Sequence, residues 1–88
     1  MIITLAEAKL HMALTGDAQD TLIAGMLASA QDACVRYIGG VDEEDPAPEI
    51  LRQAILMTVA ANYEGREGAG IPDEAQTLLK DLREWVFG

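Results

Sequence analysis

Pro48-Glu49-Ile50-Leu51-Arg52-Gln53-Ala54-Ile55-Leu56-Met57-Thr58-Val59-Ala60-Ala61-Asn62-Tyr63 is the stretch on which the fold turns. A proline suits the first position of a helix, where its missing amide costs little. The run therefore predicts a helix that starts at Pro48 or Glu49 and continues to about Glu64. Ile50, Leu51, Ala54, Ile55, Leu56, Met57, Val59, Ala60, Ala61 and Tyr63 cover nearly its whole circumference. A helix that is apolar on most sides is buried on most sides. In a small domain one partner helix cannot cover it. Two outcomes follow: it is the central helix of a bundle, or one side of it meets another subunit.

Ahead of this helix lies Asp42-Glu43-Glu44-Asp45-Pro46-Ala47-Pro48. Four consecutive acids repel one another and two prolines block helix continuation, so residues 41–48 read as a loop. It is either a solvated connector or an acidic contact or channel surface. Further back, Leu22, Ile23, Met26, Leu27, Ala30, Ala33, Cys34, Tyr37 and Ile38 recur at spacings of three and four, an amphipathic stripe. Gln19, Ser29, Asp32 and Arg36 occupy the opposite side. Asp17 is the expected cap, Asp20 lies in the first turn where its charge suits the helix dipole, and Gly39-Gly40 ends the helix.

The chain opens with Ile3-Thr4-Leu5-Ala6-Glu7, in which Thr4 and Glu7 form a capping box and Ile3 packs as a weak staple on Ala8 or the Lys9 methylenes. That first helix is expected to end near Leu14, before the turn cluster Thr15-Gly16-Asp17. Beyond the central helix, Gly65-Arg66-Glu67-Gly68-Ala69-Gly70 is flexible by composition and is no phosphate cradle, since it lacks the Lys-Ser/Thr ending and follows no strand. Pro72-Asp73-Glu74 opens a last helix with the stripe Leu78, Leu79, Leu82, Trp85 and Val86, and with Lys80 and Arg83 expected near its end. Trp85, Val86 and Phe87 either close the core or form a docking patch. The expected architecture is all-α, a small bundle of about four helices, two of them long, around a central apolar third helix. No strand or repeat is expected.

With 88 residues the chain is one domain, 1–88. Half of it is hydrophobic but only 5% is aromatic, so small aliphatic side chains make the core. So small a domain often gains stability by oligomerising. The net charge of -9, from 15 acids and 6 bases, argues against sequence-reading of nucleic acid and against anionic lipid. An acidic wall does suit a passage through which DNA slides without sticking.

No catalytic set is evident, so the chain reads as no enzyme and needs no cofactor. Ser29 and Cys34 lie on a predicted helix rather than at a strained turn, and nothing near His11 in sequence completes a triad. One cysteine and one histidine are too few for a zinc site, and the acidic loop lacks the alternating ligands and central glycine of a calcium loop. Cys34 reads as a small buried hydrophobe in a reducing compartment. The start lacks a signal peptide's basic region and long apolar run, and no apolar stretch reaches a membrane-spanning length, so the expectation is a protein made and kept in a cytoplasm, or in something assembled there.

Three segments, in order and spacing, resemble the small phage head–tail connector proteins, also labelled head-completion or DNA-packaging proteins. They are Ile3-Thr4-Leu5-Ala6-Glu7-Ala8-Lys9-Leu10-His11; Asp20 with Leu22-Ile23 and the run to Tyr37-Ile38-Gly39; and Pro48-Glu49-Ile50-Leu51-Arg52-Gln53-Ala54-Ile55-Leu56 followed by Tyr63-Glu64-Gly65-Arg66-Glu67. Pro72 with Leu78-Leu79 and Arg83 resembles the family's closing helix. The resemblance implies a non-enzymatic adaptor in the virion, at the head–tail junction. Copies would form a ring beneath the portal protein, extend the DNA channel and dock tail-completion proteins, with DNA passing through and no membrane involved. Leu51, Leu56, Tyr63, Trp85 and Phe87 are the candidate subunit or partner interface, and Asp42, Glu43, Glu44 and Asp45 the candidate acidic exposed or DNA-facing surface. The rival reading is a small acidic helical regulator or partner-binding module, antitoxin-like or mimicking DNA.

Overall fold

A computed structural model describes residues 2–40, 48–65 and 70–87, with side chains as far as residue 82. It contains α1 (Leu5–His11), α2 (Asp20–Tyr37), α3 (Glu49–Tyr63) and α4 (Asp73–Phe87). Among the described residues there is no strand. Three helices are long, where two were expected. The acidic stretch Asp42, Glu43, Glu44 and Asp45 lies outside the described residues, as do Arg66, Glu67, Gly68 and Ala69.

α3 lies in the middle and touches each of the other three helices. It is the central helix of the bundle. Leu51, Ala54, Ile55, Thr58, Val59 and Ala61 are buried on it. From α2 the buried row is Ile23, Leu27, Ala30, Cys34 and Ile38; from α4 it is Ala75, Leu79 and Leu82. Each fully buried Leu or Ile adds about 1.5–3 kcal/mol relative to exposure, so these rows dominate the attraction between helices. α3 starts at Glu49, within the expected bounds, and Pro48 stands just before the first helical residue with extended ψ of 145°. Its carbonyl accepts from Arg52 N at 3.1 Å.

The helix ends explain the connections. At α1 the capping box forms: Thr4 Oγ1 accepts from Glu7 N at 3.1 Å, and Glu7 Oε1 accepts from Thr4 N at 3.2 Å. Ile3 and Ala8 are both buried in the core cluster. α1 stops at His11 rather than near Leu14. Ala13 sits at φ 57°, its amide donates to Leu10 O at 3.1 Å, and Leu14 N donates to Lys9 O at 2.9 Å. That pair of bonds is a Schellman closure, which usually has glycine in the left-handed position. The tertiary reason is visible in the packing: the turn lays Met12 and Leu14 against the core. α2 closes the same way with Gly39 at φ 89° and Gly40 N donating to Val35 O at 2.9 Å.

Two further expectations are corrected. Asp17 does not cap α2; its backbone carbonyl accepts from Asp20 N at 3.2 Å in a separate turn, and the helix begins three residues later behind Gln19. Lys80 and Arg83 do not reach the last turn of α4, because the helix runs on to Phe87 and that turn holds no basic residue.

Candidate functional site

The polar organisation centres on Arg52. From the first turn of α3 its Nη1 donates to the Ile2 carbonyl at 2.8 Å, its Nη2 donates to Glu7 Oε2, and its Nε lies 3.6 Å from Glu49. The Ile2 amide donates to Gln31 Oε1 of α2 at 2.8 Å. Both backbone groups of Ile2 are thus taken by side chains from different helices. The hydrogen bond from the Thr4 backbone, helped by the Thr4 hydroxyl and the Arg52 guanidinium, holds the Glu7 carboxyl below its ordinary pKa. At the other end of α1, Lys9 pairs with Asp20 at 2.7 Å and also donates to Gly16 O. Arg36 pairs with Asp32 on the surface of α2. Lys9, Arg36 and Arg52 are therefore engaged by acids of their own chain.

Buried chemistry is limited. Cys34 lies inside the core with its Sγ 3.7 Å from Thr58 Oγ1, and burial pushes its thiol pKa up. Such a thiol is a packing group, because reactivity needs the thiolate. Thr58 donates to Ala54 O at 2.8 Å, so the buried hydroxyl is satisfied. Among the described residues no group of His, Cys, Asp or Glu is placed to hold a metal, and no helix is long and apolar enough to cross a membrane.

Among the described residues, one exposed apolar surface is the outward strip of α3. Ile50 is 42% exposed, Gln53 is exposed, and Leu56, Met57 and Ala60 are half-buried. Positions 50, 53, 57 and 60 share one side of a helix with a period of 3.6. Of the expected interface residues, Leu51 is 0% exposed and packs inside its own chain, so it has no surface to offer a partner. Leu56 and Tyr63 are half-buried, and the Tyr63 hydroxyl donates to Gln19 before α2. Trp85 and Phe87 are in the last turns of α4, with their side chains outside the described set. The sequence reading missed Ile50 and Met57 as the exposed edge of this strip. The signal was the interleaving of polar Glu49 and Gln53 with them, which marks the solvent side of an otherwise apolar helix. It also missed Leu10, 81% exposed on α1, and Leu22, 51% exposed on α2.

Residues 2–83 match the model of a family described as Phage gp6-like head-tail connector protein. The match spans nearly the whole chain and shows the family. That family is structural, and it favours the connector reading over the acidic regulator. No curated protein and no solved structure matches.

Proposed function

We propose that this chain, which belongs to the phage gp6-like head-tail connector family, folds as a single domain over 1–88 and assembles with its own copies into a ring below the portal. In this reading the ring extends the DNA channel and its far side docks tail-completion proteins. The structural role at the phage head–tail junction is the family's; the ring and its partners are our reading of this chain.

The observation that carries it is the strip Ile50, Leu56, Met57 and Ala60 left outward on the central helix. The shape agrees. Its extents of 43 × 28 × 17 Å are those of a plate, which neighbours can cover face to face. One patch meeting a different patch on the next copy is a heterologous contact, and such contacts close into rings when the rotation allows. Leu56 and Tyr63 are proposed for that contact, with Trp85 and Phe87 at the end of α4 for a docking face. Asp42, Glu43, Glu44 and Asp45 are proposed to face the channel, where like charge keeps DNA from adhering.

The test is reconstitution. Purified chain mixed with the portal of the same phage should add a ring visible by negative-stain imaging. Ile50→Glu combined with Met57→Glu should keep the helical circular-dichroism signal and fail to add the ring. A double variant that joins the portal as well as the parent chain would overturn the assignment.

A further inference from the structure

Met12, Ala13 and Leu14 are good helix formers, and their composition carries α1 onward to Leu14. The fold breaks the helix there instead and puts an alanine at φ 57°, where a Cβ crowds the backbone. The next turn needs Gly16 at φ 82°. Local preference and folded geometry disagree at this one connection, and such conflicts gather where a chain has a second arrangement to adopt.

The segment on the far side of the connection is a compact arm, residues 2–11. It is held by Ile3 and Ala8 in the core, by Gln31 and Arg52 on Ile2, by Arg52 on Glu7, and by Asp20 on Lys9. The polar sockets, Gln31 and Asp20 on α2 and Arg52 on α3, recur identically in each copy. We propose that the arm is exchangeable: residues 12–14 straighten into the helix, the turn at Gly16 opens, and the arm seats in the same sockets of a neighbouring copy. Exchange keeps the arm's contacts with α2 and α3 and removes the left-handed alanine; it gives up the Schellman bonds to Lys9 and Leu10, the Lys9 bond to Gly16 O and the seats of Met12 and Leu14. Short hinges under strain invite this rearrangement, and passing the arm from one subunit to the next ties a chain of copies together. The inference rests on the reading that copies of this chain assemble with one another.

The Lys9–Asp20 pair at 2.7 Å provides the readout, because a carbodiimide joins such a pair through an amide. Light and nitrogen-15-labelled chains are mixed in denaturant, refolded together, concentrated, and separated by size. Each fraction is cross-linked and digested, and Lys9–Asp20 linked peptides are weighed. Light–heavy pairs are expected in the oligomer and same-isotope pairs in the monomer. Two substitutions bias the hinge in opposite directions. Ala13→Gly favours the left-handed turn and weakens the straight helix. Gly16→Ala strains the turn through its φ alone, since an added Cβ there meets nothing within 4 Å. Each should change the exchanged fraction by about fivefold, Ala13→Gly downward and Gly16→Ala upward. Oligomers holding only same-isotope pairs overturn the exchange while leaving ring assembly standing. Absence of any oligomer, for both the parent chain and Gly16→Ala, also overturns it; the portal reconstitution then decides ring assembly separately.

Discussion

Arg52 and Glu7, 45 positions apart, form an ion pair that fastens α1 to the first turn of α3. The same guanidinium holds the Ile2 carbonyl, so one side chain fixes both the start of the chain and the helix that follows it. Arg52 manages this because its planar fork presents several donors at once; a lysine has a single ammonium in place of that fork.

The pair makes stability depend on pH in a set direction. Glu7 has its folded pKa lowered from an ordinary value of 4.5, first by the Thr4 amide and then with help from the Thr4 hydroxyl and Arg52. A lowered carboxyl pKa adds stability that is present above the unfolded value and lost as pH falls through the folded one. Thermal melts of the parent chain and Glu7→Gln should differ at pH 7 and converge as the pH drops below 4.5. A constant gap down to acid pH would show that Glu7 acts through packing instead.

Cys34 faces Thr58 in the core, and its thiol should be inert until the bundle opens. Alkylation of the native protein should therefore track the unfolding equilibrium as denaturant is added, rather than thiol ionisation alone. Thr58→Val should cost no more than about 1 kcal/mol, because the hydroxyl only supplements the helix at Ala54 O, whereas Thr58→Ala leaves a void beside Cys34 and should cost more. Chemical denaturation of both variants measures the difference.

Much of the fold was legible because the relevant signals are local. Thr4 and Glu7 sit three apart and form the expected box. The α2 stripe and Gly39 needed only helical spacing and the freedom of glycine to take positive φ. The misses have tertiary causes. Nothing near Ala13 announces a left-handed turn; the core takes Met12 and Leu14, and the backbone follows. Arg52 is a polar residue on a largely apolar helix, and its partners Ile2 and Glu7 are distant in sequence. At the candidate interface, composition told that α3 is apolar nearly all round, but not which of Ile50 and Leu51 turns inward. That depends on where α1, α2 and α4 pack.

The proposed channel role of Asp42, Glu43, Glu44 and Asp45 separates from folding. Replacing all four with their amides removes four negative charges from a chain of net charge -9. Melting temperature should change little, since these acids are proposed to lie on an exposed face. Packaging, genome retention and infectivity of phage carrying the variant should fall. Unchanged values for all three would remove the role.

Ile50 and Leu51 are neighbours in sequence with opposite surroundings, 42% and 0% exposed. Leu51→Ala empties part of the core and should cost about 2–5 kcal/mol, the range for a buried leucine whose cavity closes only in part. Ile50→Ala removes partly solvated methylenes and should cost under about 1 kcal/mol, as surface substitutions do. The order reverses for assembly. If the outward strip of α3 meets the next copy, Ile50→Ala should weaken ring formation on the portal although the chain remains stable. Leu51→Ala should weaken it only as far as the folded population is lost, an effect that lower temperature restores. Denaturation midpoints and ring occupancy measured on the same two variants distinguish these effects, and equal ring occupancy for Ile50→Ala and the parent chain would leave the strip as an edge of the monomer's own core.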